Sequence, residues 1–430
     1  MRIFERLFVI ALLLCSMQVV TALQEPTLAE NTLEVVSTEM HPSSLAVEGV
    51  VYLCGAFLVL LRWRHVLRAM QAAWPLVALG ALALVSGLWS TEPSLTLRRS
   101  IMLLVSTVLA IYLGERYTTE KLARLLAQTF CLMMVVTIIL SFVAPLYVID
   151  YSTASYFGAW KGLASHKNMF GEYMAESVAL LLLVRFRNFP WLRYVFLVIA
   201  VALLLLSRSA TALFCGTLVI VAMLLWRGAR LQPRLRALVY ATTGVTVFSG
   251  IYFLASHPSL VLQVLGRDST LTGRTQIWAL AWPALMKSPI LGYGYDAFWT
   301  GMKGEALNIM VGSQWLVPHA HNGFLDLGLS LGLLGLCIFL YVWARSILRA
   351  IEFVRLAPGP IGLWPISYLC FFTLHNITES SLLTRPLTIS FLMFAAITTS
   401  LAVHHPGEVS ADLDSEQIVI ADEKRFVLVQ

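Results

Sequence analysis

Long apolar runs, set off by short charged segments, restrict this chain's fold more than any other feature. They are Leu7–Leu23, Ala46–Leu61, Trp74–Trp89, Ile101–Leu113, Leu122–Ile149, Met169–Val184, Tyr194–Leu206, Ala210–Trp226, Ala237–Ala255, Gly323–Trp343, Ile361–Leu374 and Leu387–Val403. A helix needs about 20 mostly apolar residues to cross a bilayer, and a backbone inside lipid must satisfy its own hydrogen bonds. The expected fold is therefore an all-α polytopic membrane protein with about 12 transmembrane helices. Composition agrees: 58% of the 430 residues are apolar and 13% charged, against roughly 45–50% and 25% in soluble chains. A water-soluble enzyme is excluded. The first run also reads as a signal peptide, since Arg2 and Arg6 precede its short apolar core; the map from Ala46 onward is the same in both cases.

Charge orients the map. Alternating the runs puts most of the 30 Lys and Arg on the N-terminal side, in clusters such as Arg62, Arg64, Arg68 and Arg227, Arg230, Arg234, Arg236. By the positive-inside rule both termini face the cytoplasm. The net charge of +6 thus reflects topology and not nucleic-acid binding. The expected organisation is helices 1–9 over residues 1–255, a large periplasmic loop over 256–322, three more helices over 323–403, and a cytoplasmic tail over 404–430. In the loop, Ile277, Trp278, Ala281, Trp282, Leu285 and Met286 recur at helical spacing, which predicts an amphipathic helix on the outer surface, kinked at Pro283. The six cysteines lie in or beside apolar runs, which favours buried, inert thiols over disulfides or a metal site.

Ten basic residues oppose the bias: Arg98, Arg99, Lys161, Lys167, Arg208, Arg267, Arg274, Lys287, Lys303 and Arg385. Lys287 and Lys303 read as loop residues. Arg208, in Ser207-Arg208-Ser209, splits a stretch from Tyr194 to Trp226 that is too long for one crossing, and arginines at such depth usually mark a site. Arg267 and Arg274 flank hydroxyls and glycines at the start of the amphipathic helix, a setting suited to an anion. His319 and His321 precede the tenth helix, His166-Lys167-Asn168 opens the sixth, and His375 to Glu379 lies with Arg385 on the same side. Two histidines without a further ligand at helical spacing beyond Asp326 do not favour a metal.

These groups converge on one membrane face. Outer arginines with a neutral histidine under a Trp-rich loop suit a lipid-linked diphosphate: guanidiniums hold the phosphates and the histidine takes a proton from an incoming hydroxyl. A lipid-linked oligosaccharide flippase or other transporter would instead gather polar groups near the midplane, often in repeated halves, and no internal repeat is visible.

At these residues the sequence resembles the bacterial O-antigen ligase and exopolysaccharide polymerase superfamily. The family's ligases carry His, then Asn, Ser or Gln, nine residues, Gly, two residues, and Gly, Thr or Tyr; here His321-Asn322 is followed by nine residues and Gly332-Leu333-Leu334-Gly335. Gly162 to Asn168, Ser207-Arg208-Ser209, Leu271 to Trp278 and Pro289 to Phe298 are similar to other family motifs. The likeness runs from about Gly87 to Gly335, and the wording of its Gly-Arg-Thr and Gly-Tyr-Gly segments is nearer the exopolysaccharide polymerases. The resemblance implies a helical inner-membrane glycosyltransferase of C-type-like architecture, using an undecaprenyl-diphosphate-linked glycan, inverting, with no metal and no cofactor. It implies that Arg208 and Arg274 contact the diphosphate and that His321 is the base or an essential orienting group. His319, Asn322, His166, Lys167, Arg98, Arg99, Arg267 and Arg385 are the further candidates for substrate contact. Polymerisation of repeat units into exopolysaccharide or O-antigen and ligation to lipid A–core or another acceptor both remain open, with chain-length regulators or export proteins as candidate partners.

Overall fold

The computed structural model describes residues 2–24, 42–152, 156–186, 189–229, 232–235, 237, 241, 244, 273–300, 303–313, 316–357, 359–383 and 388–404. Most of the ninth expected helix, the acidic segment 25–41 and the tail from 405 lie outside them, as do Arg267 and Arg385. Among the described residues the fold is helical, with one two-residue antiparallel pair, β1 (Ile149–Asp150) and β2 (Ala159–Trp160). In chain order the described α-helices are α1 (Arg2–Ser16), α2 (Val19–Ala22), α3 (Pro42–Leu61), α4 (Trp63–Ala72), α5 (Trp74–Val85), α6 (Pro93–Arg116), α7 (Thr119–Val143), α8 (Lys167–Leu183), α9 (Leu192–Leu206) and α10 (Ala210–Ala229). After the gap come α11 (Arg274–Lys287), α12 (Gly304–Ser313), α13 (Gly323–Leu356), α14 (Trp364–Thr378) and α15 (Ile389–Val403).

Among the described residues, α6, α7, α10 and α13 are long and apolar enough to cross a membrane, and α3 with α4, bent by 93°, makes a fifth candidate. Helices α9 and α15 and the 74–88 segment are apolar but shorter. Several expected runs change shape. Leu7–Leu23 divides into α1 and α2, because Gln18 turns the chain at φ 62. The run beginning at Gly323 continues to Leu356, a polar-ended extension carrying Arg345, Arg349 and Arg355 that an apolar count stops short of.

Helix packing follows membrane rules. Helices α6 and α15 make the most extensive pairing; a Cβ on Gly114 would overlap the backbone of Ala396, so only glycine permits this approach. Hydroxyls of Ser106, Thr107, Thr129, Ser177 and Thr399 bond carbonyls four residues back, which satisfies them without water. Trp364, Tyr368, Phe372, Phe394 and Phe339 form an aromatic core between α13, α14 and α15. Four cysteines are at least half-buried, but Cys337 and Cys370 are exposed on helix surfaces, contrary to the expectation that all six are buried.

Helix α6 defines two ends. Near its start Arg99 pairs with Asp296 at 3.2 Å, and its last residue, Arg116, pairs with Glu5 of α1 at 2.5 Å. At 1.5 Å per residue these anchors stand roughly 25 Å apart. Glu115, beside Arg116, also binds Arg62, and its carbonyl meets His404. The N-terminal helix and His404 therefore share one end.

At the other end the backbone of Pro289–Gly294 threads through a break in α13. At Gly332 (φ 64, ψ −165) the helix is interrupted. Tyr293 and Gly294 N–H groups donate to the carbonyls of Leu329 and Ser330 at 2.8 and 3.0 Å, and Leu333 and Leu334 donate to those of Pro289 and Ile290 at 2.7 and 3.2 Å. Bonds that an unbroken helix would make internally go to the loop instead. A Cβ on Gly332 would overlap the Ile290 carbonyl, and the φ/ψ pair is one that glycine alone occupies readily. Two of the sequence motifs, Pro289–Phe298 and Gly332–Gly335, thus form one joint.

Candidate active site

The loop before α13 is built from its backbone outward. Asn322 caps the helix, its Oδ1 accepting from Phe324 and Leu325 N–H at 3.1 and 3.0 Å, while its amide donates to the Ile377 carbonyl at 3.1 Å. The cap is therefore Asn322 and not His321. Asp326, in the first turn, accepts the Ala320 N–H at 3.0 and 3.1 Å and the Trp299 indole at 2.7 Å, and also the Ser380 hydroxyl. Trp278 of α11 donates to the Ala320 carbonyl at 2.8 Å. This frame holds His321 in the left-handed region, φ 51, with its N–H donating to His319 Nδ1 at 3.2 Å and the two rings 4.1 Å apart. The described non-glycine residues at positive φ are Gln18, Arg208, Asp296 and His321; such backbone is uncommon and concentrates at functional positions.

Glu379, the residue after α14, joins the cluster together. Its Oε2 lies 3.1 Å from His321 Nδ1, and its Oε1 accepts from Arg274 Nη2 at 2.5 Å and from Asn168 Nδ2 at 2.8 Å. Arg274 Nη1 also donates to the Thr378 carbonyl. Arg274 opens α11 behind Gly273 and is 6% exposed; Glu379 is 7% exposed. An ionised carboxylate can only accept, so His321 Nδ1 donates to Glu379 Oε2. Burial pushes the Glu379 carboxyl up, but the His321 hydrogen bond and the Arg274 charge outweigh it and hold the group well below the usual carboxylate range. Glu379 is ionised at neutral pH.

Contacts lead from this cluster to Arg208. Asn168 stands in the first turn of α8, whose N-cap is His166; the His166 Nδ1 accepts the Asn168 N–H at 3.2 Å. His166 is held below the usual imidazole range, chiefly by burial. Tyr156 packs edge-on against the His166 ring at 5.4 Å, and Lys167 Nζ sits 4.8 Å over the Tyr156 ring. Next in sequence, the Phe157 carbonyl accepts from Arg208 Nη1 at 3.0 Å. Arg208 is exposed, at φ 50 in the turn between α9 and α10, so the 33-residue stretch does break there into two helices.

The structure thus joins Arg274, His321, His319, Asn322, His166 and Lys167 into one network that reaches Arg208. Arg99 is set apart: Asp296 takes its guanidinium, which pins the 290s loop to α6. Arg98 is exposed on α6. Lys287 and Lys303 form surface ion pairs with Glu305 and Glu92. A helix, α11, does occupy this segment and runs on through Pro283, burying Ile277, Ala281, Ala284 and Leu285, whereas Trp282 and Met286 of the expected apolar face are exposed. Glu379, Asn168 and Asp326, which the sequence placed among or beside the outer polar groups without assigning them a role, are site members in the structure. Glu379 pairs with groups 58, 105 and 211 positions away, and no local spacing signals such pairs.

Residues 173–340 match the family model described as O-Antigen ligase, Wzy_C. The chain is also 28% identical over 299 residues to the exopolysaccharide production protein ExoQ of Rhizobium meliloti (strain 1021), covering 66% of this chain and 67% of that protein. The family match includes Arg208, Arg274 and His321, and ends just beyond the Gly332 joint. Taken with the apolar helices, these likenesses show a multi-pass membrane protein similar to the O-antigen ligases and exopolysaccharide production proteins.

Proposed function

We propose that this protein polymerises undecaprenyl-diphosphate-linked repeat units into an exopolysaccharide or O-antigen at the periplasmic face of the inner membrane, with both termini in the cytoplasm. The observation that carries the reading is the Arg274–Glu379–His321 cluster at the end of the bundle remote from Glu5, near the start of α1. In this reading His321 Nε2 takes the proton of an acceptor hydroxyl as its oxygen attacks the anomeric carbon, and the bond to the diphosphate breaks on the opposite side, inverting that carbon. Glu379 is a positioning residue: it fixes the imidazole tautomer and stabilises the imidazolium that forms. Arg274 and Arg208 hold the charge that develops on the departing diphosphate. Contacts to Glu379 and Thr378 use two of the five N–H donors of Arg274, so the guanidinium is oriented before a phosphate arrives.

Ligation of a finished glycan to lipid A–core or another acceptor is the second reading, supported by the description of the matching family model. Donor chemistry is the same in both. Glycan length in a strain lacking the protein separates them: single lipid-linked repeat units are expected if polymerisation is lost. Long lipid-linked chains that never reach an acceptor would instead assign ligation, and unflipped donor accumulating in the inner leaflet would assign transport.

A further inference from the structure

Helix α8 runs from the candidate active site to the opposite end of the bundle. Its first turn carries Asn168 and its last residue is Leu183; 17 residues at about 1.5 Å each span roughly 25 Å, close to a hydrocarbon layer of about 30 Å. Beyond that far end lies a cavity of about 140 Å³ lined by Arg185, Arg193 and Arg227, with Tyr194, Leu182 and Leu197. A water needs about 10–15 Å³ measured the same way, so the space admits a much larger group.

The three arginines come from separate segments: Arg185 follows α8, Arg193 is in the first turn of α9, and Arg227 is in the last turn of α10. Arg193 rests 4.4 Å over the Tyr194 ring. Among the described residues no carboxylate pairs with any of the three, whereas Arg62 and Arg116, at the same end of the bundle, are paired with Glu115 and Glu5. Topological bias accounts for basic residues on this side. It does not account for three guanidiniums from different segments lining one cavity with no carboxylate paired to them among the described residues.

We propose that this cavity binds the phosphodiester headgroup of an anionic glycerophospholipid in the leaflet opposite the active site, with its leucines and tyrosine against the start of the acyl chains. Guanidinium forks match phosphate oxygens, and basic pockets between membrane helices are suited to anionic headgroups. Inorganic phosphate shares the charge but gains nothing from the apolar wall. The proposal does not depend on the catalytic reading.

The test is native mass spectrometry of the full-length protein, delipidated in mild detergent and offered phosphatidylglycerol in competition with phosphatidylcholine. The wild type should retain phosphatidylglycerol preferentially. With Arg185→Gln, Arg193→Gln and Arg227→Gln combined, that preference should fall on the order of a hundredfold, since each basic group near the surface contributes about a factor of five. Arg193→Gln alone should lose about fivefold, which keeps the test alive if the triple variant inserts poorly. Arg64→Gln with Arg68→Gln, exposed on α4, should change nothing. Unchanged retention in the triple and single variants, or an equal loss in the α4 control, would overturn the site. Displacement of phosphatidylglycerol from the wild type by millimolar inorganic phosphate would replace it with a free-anion site.

Discussion

A carboxylate shared by a guanidinium and an imidazole fixes the state of both. With Glu379 ionised, the Nδ1–H of His321 has an acceptor and Arg274 has a counter-charge, and all three side chains are largely buried. Removing one partner of a buried pair typically costs about 3–5 kcal/mol, because the other charge is left uncompensated. Glu379→Gln should therefore lower the melting temperature and remove most transfer activity. The pH dependence has a definite sign. The folded carboxyl is depressed below its unfolded value of about 4.3, so its stabilisation is present above that value and is lost as pH falls through the folded one. Thermal melts should show wild type losing stability on acidification below about pH 4 and Glu379→Gln losing less over that range. Arg274→Lys, which keeps the charge and loses the fork, should stay folded but transfer poorly. Equal melts and equal activity in both variants would mean that the cluster only balances charge.

Helices assert themselves in the sequence wherever apolar residues persist, and α8, α9, α10 and α15 lie within a few residues of the runs that foretell them. What the runs conceal is how a helix is interrupted. Gly332 lies inside a continuous apolar pattern, and only its contact with Pro289–Leu291 shows that the helix opens to admit a loop. The same physics explains the legibility of the site. Arg208, Arg274 and His321 stand out because each breaks a local rule, a charge opposing the bias or a polar group at a membrane surface. Glu379 breaks none, being one more polar residue at a helix end, and its role exists only in the folded chain. The joint also yields a prediction. Gly332→Ala forces alanine into a φ/ψ pair that glycine alone occupies readily, at about 1–3 kcal/mol, and adds a Cβ that overlaps the Ile290 carbonyl. Its melting temperature in detergent should drop by several degrees, with activity falling in parallel as the 290s loop shifts. A melting temperature equal to that of the wild type would show that the loop does not thread the helix.

Across the whole molecule, charge and chemistry separate along the bundle axis. Glu5, Arg62, Glu115, Arg116 and His404 meet at one end, and Arg99, Asp296, Arg274, His321 and Glu379 gather at the other. The proposed orientation puts the first end in the cytoplasm, from the bias in basic residues. A topology reporter inserted at Tyr117 should read cytoplasmic, and one within 295–303 periplasmic; the reverse result would place His321 away from an outward-facing donor. The most direct measurement is made on purified protein, given a lipid-diphosphate-linked repeat unit and assayed for the length of the lipid-linked glycan. Wild type should build a ladder of products. His321→Ala should bind the donor with near-normal affinity and elongate at least about a hundredfold more slowly, the usual share of a positioned general base. A His321→Ala protein that builds the ladder at the wild-type rate would contradict the assignment of this site to glycosyl transfer.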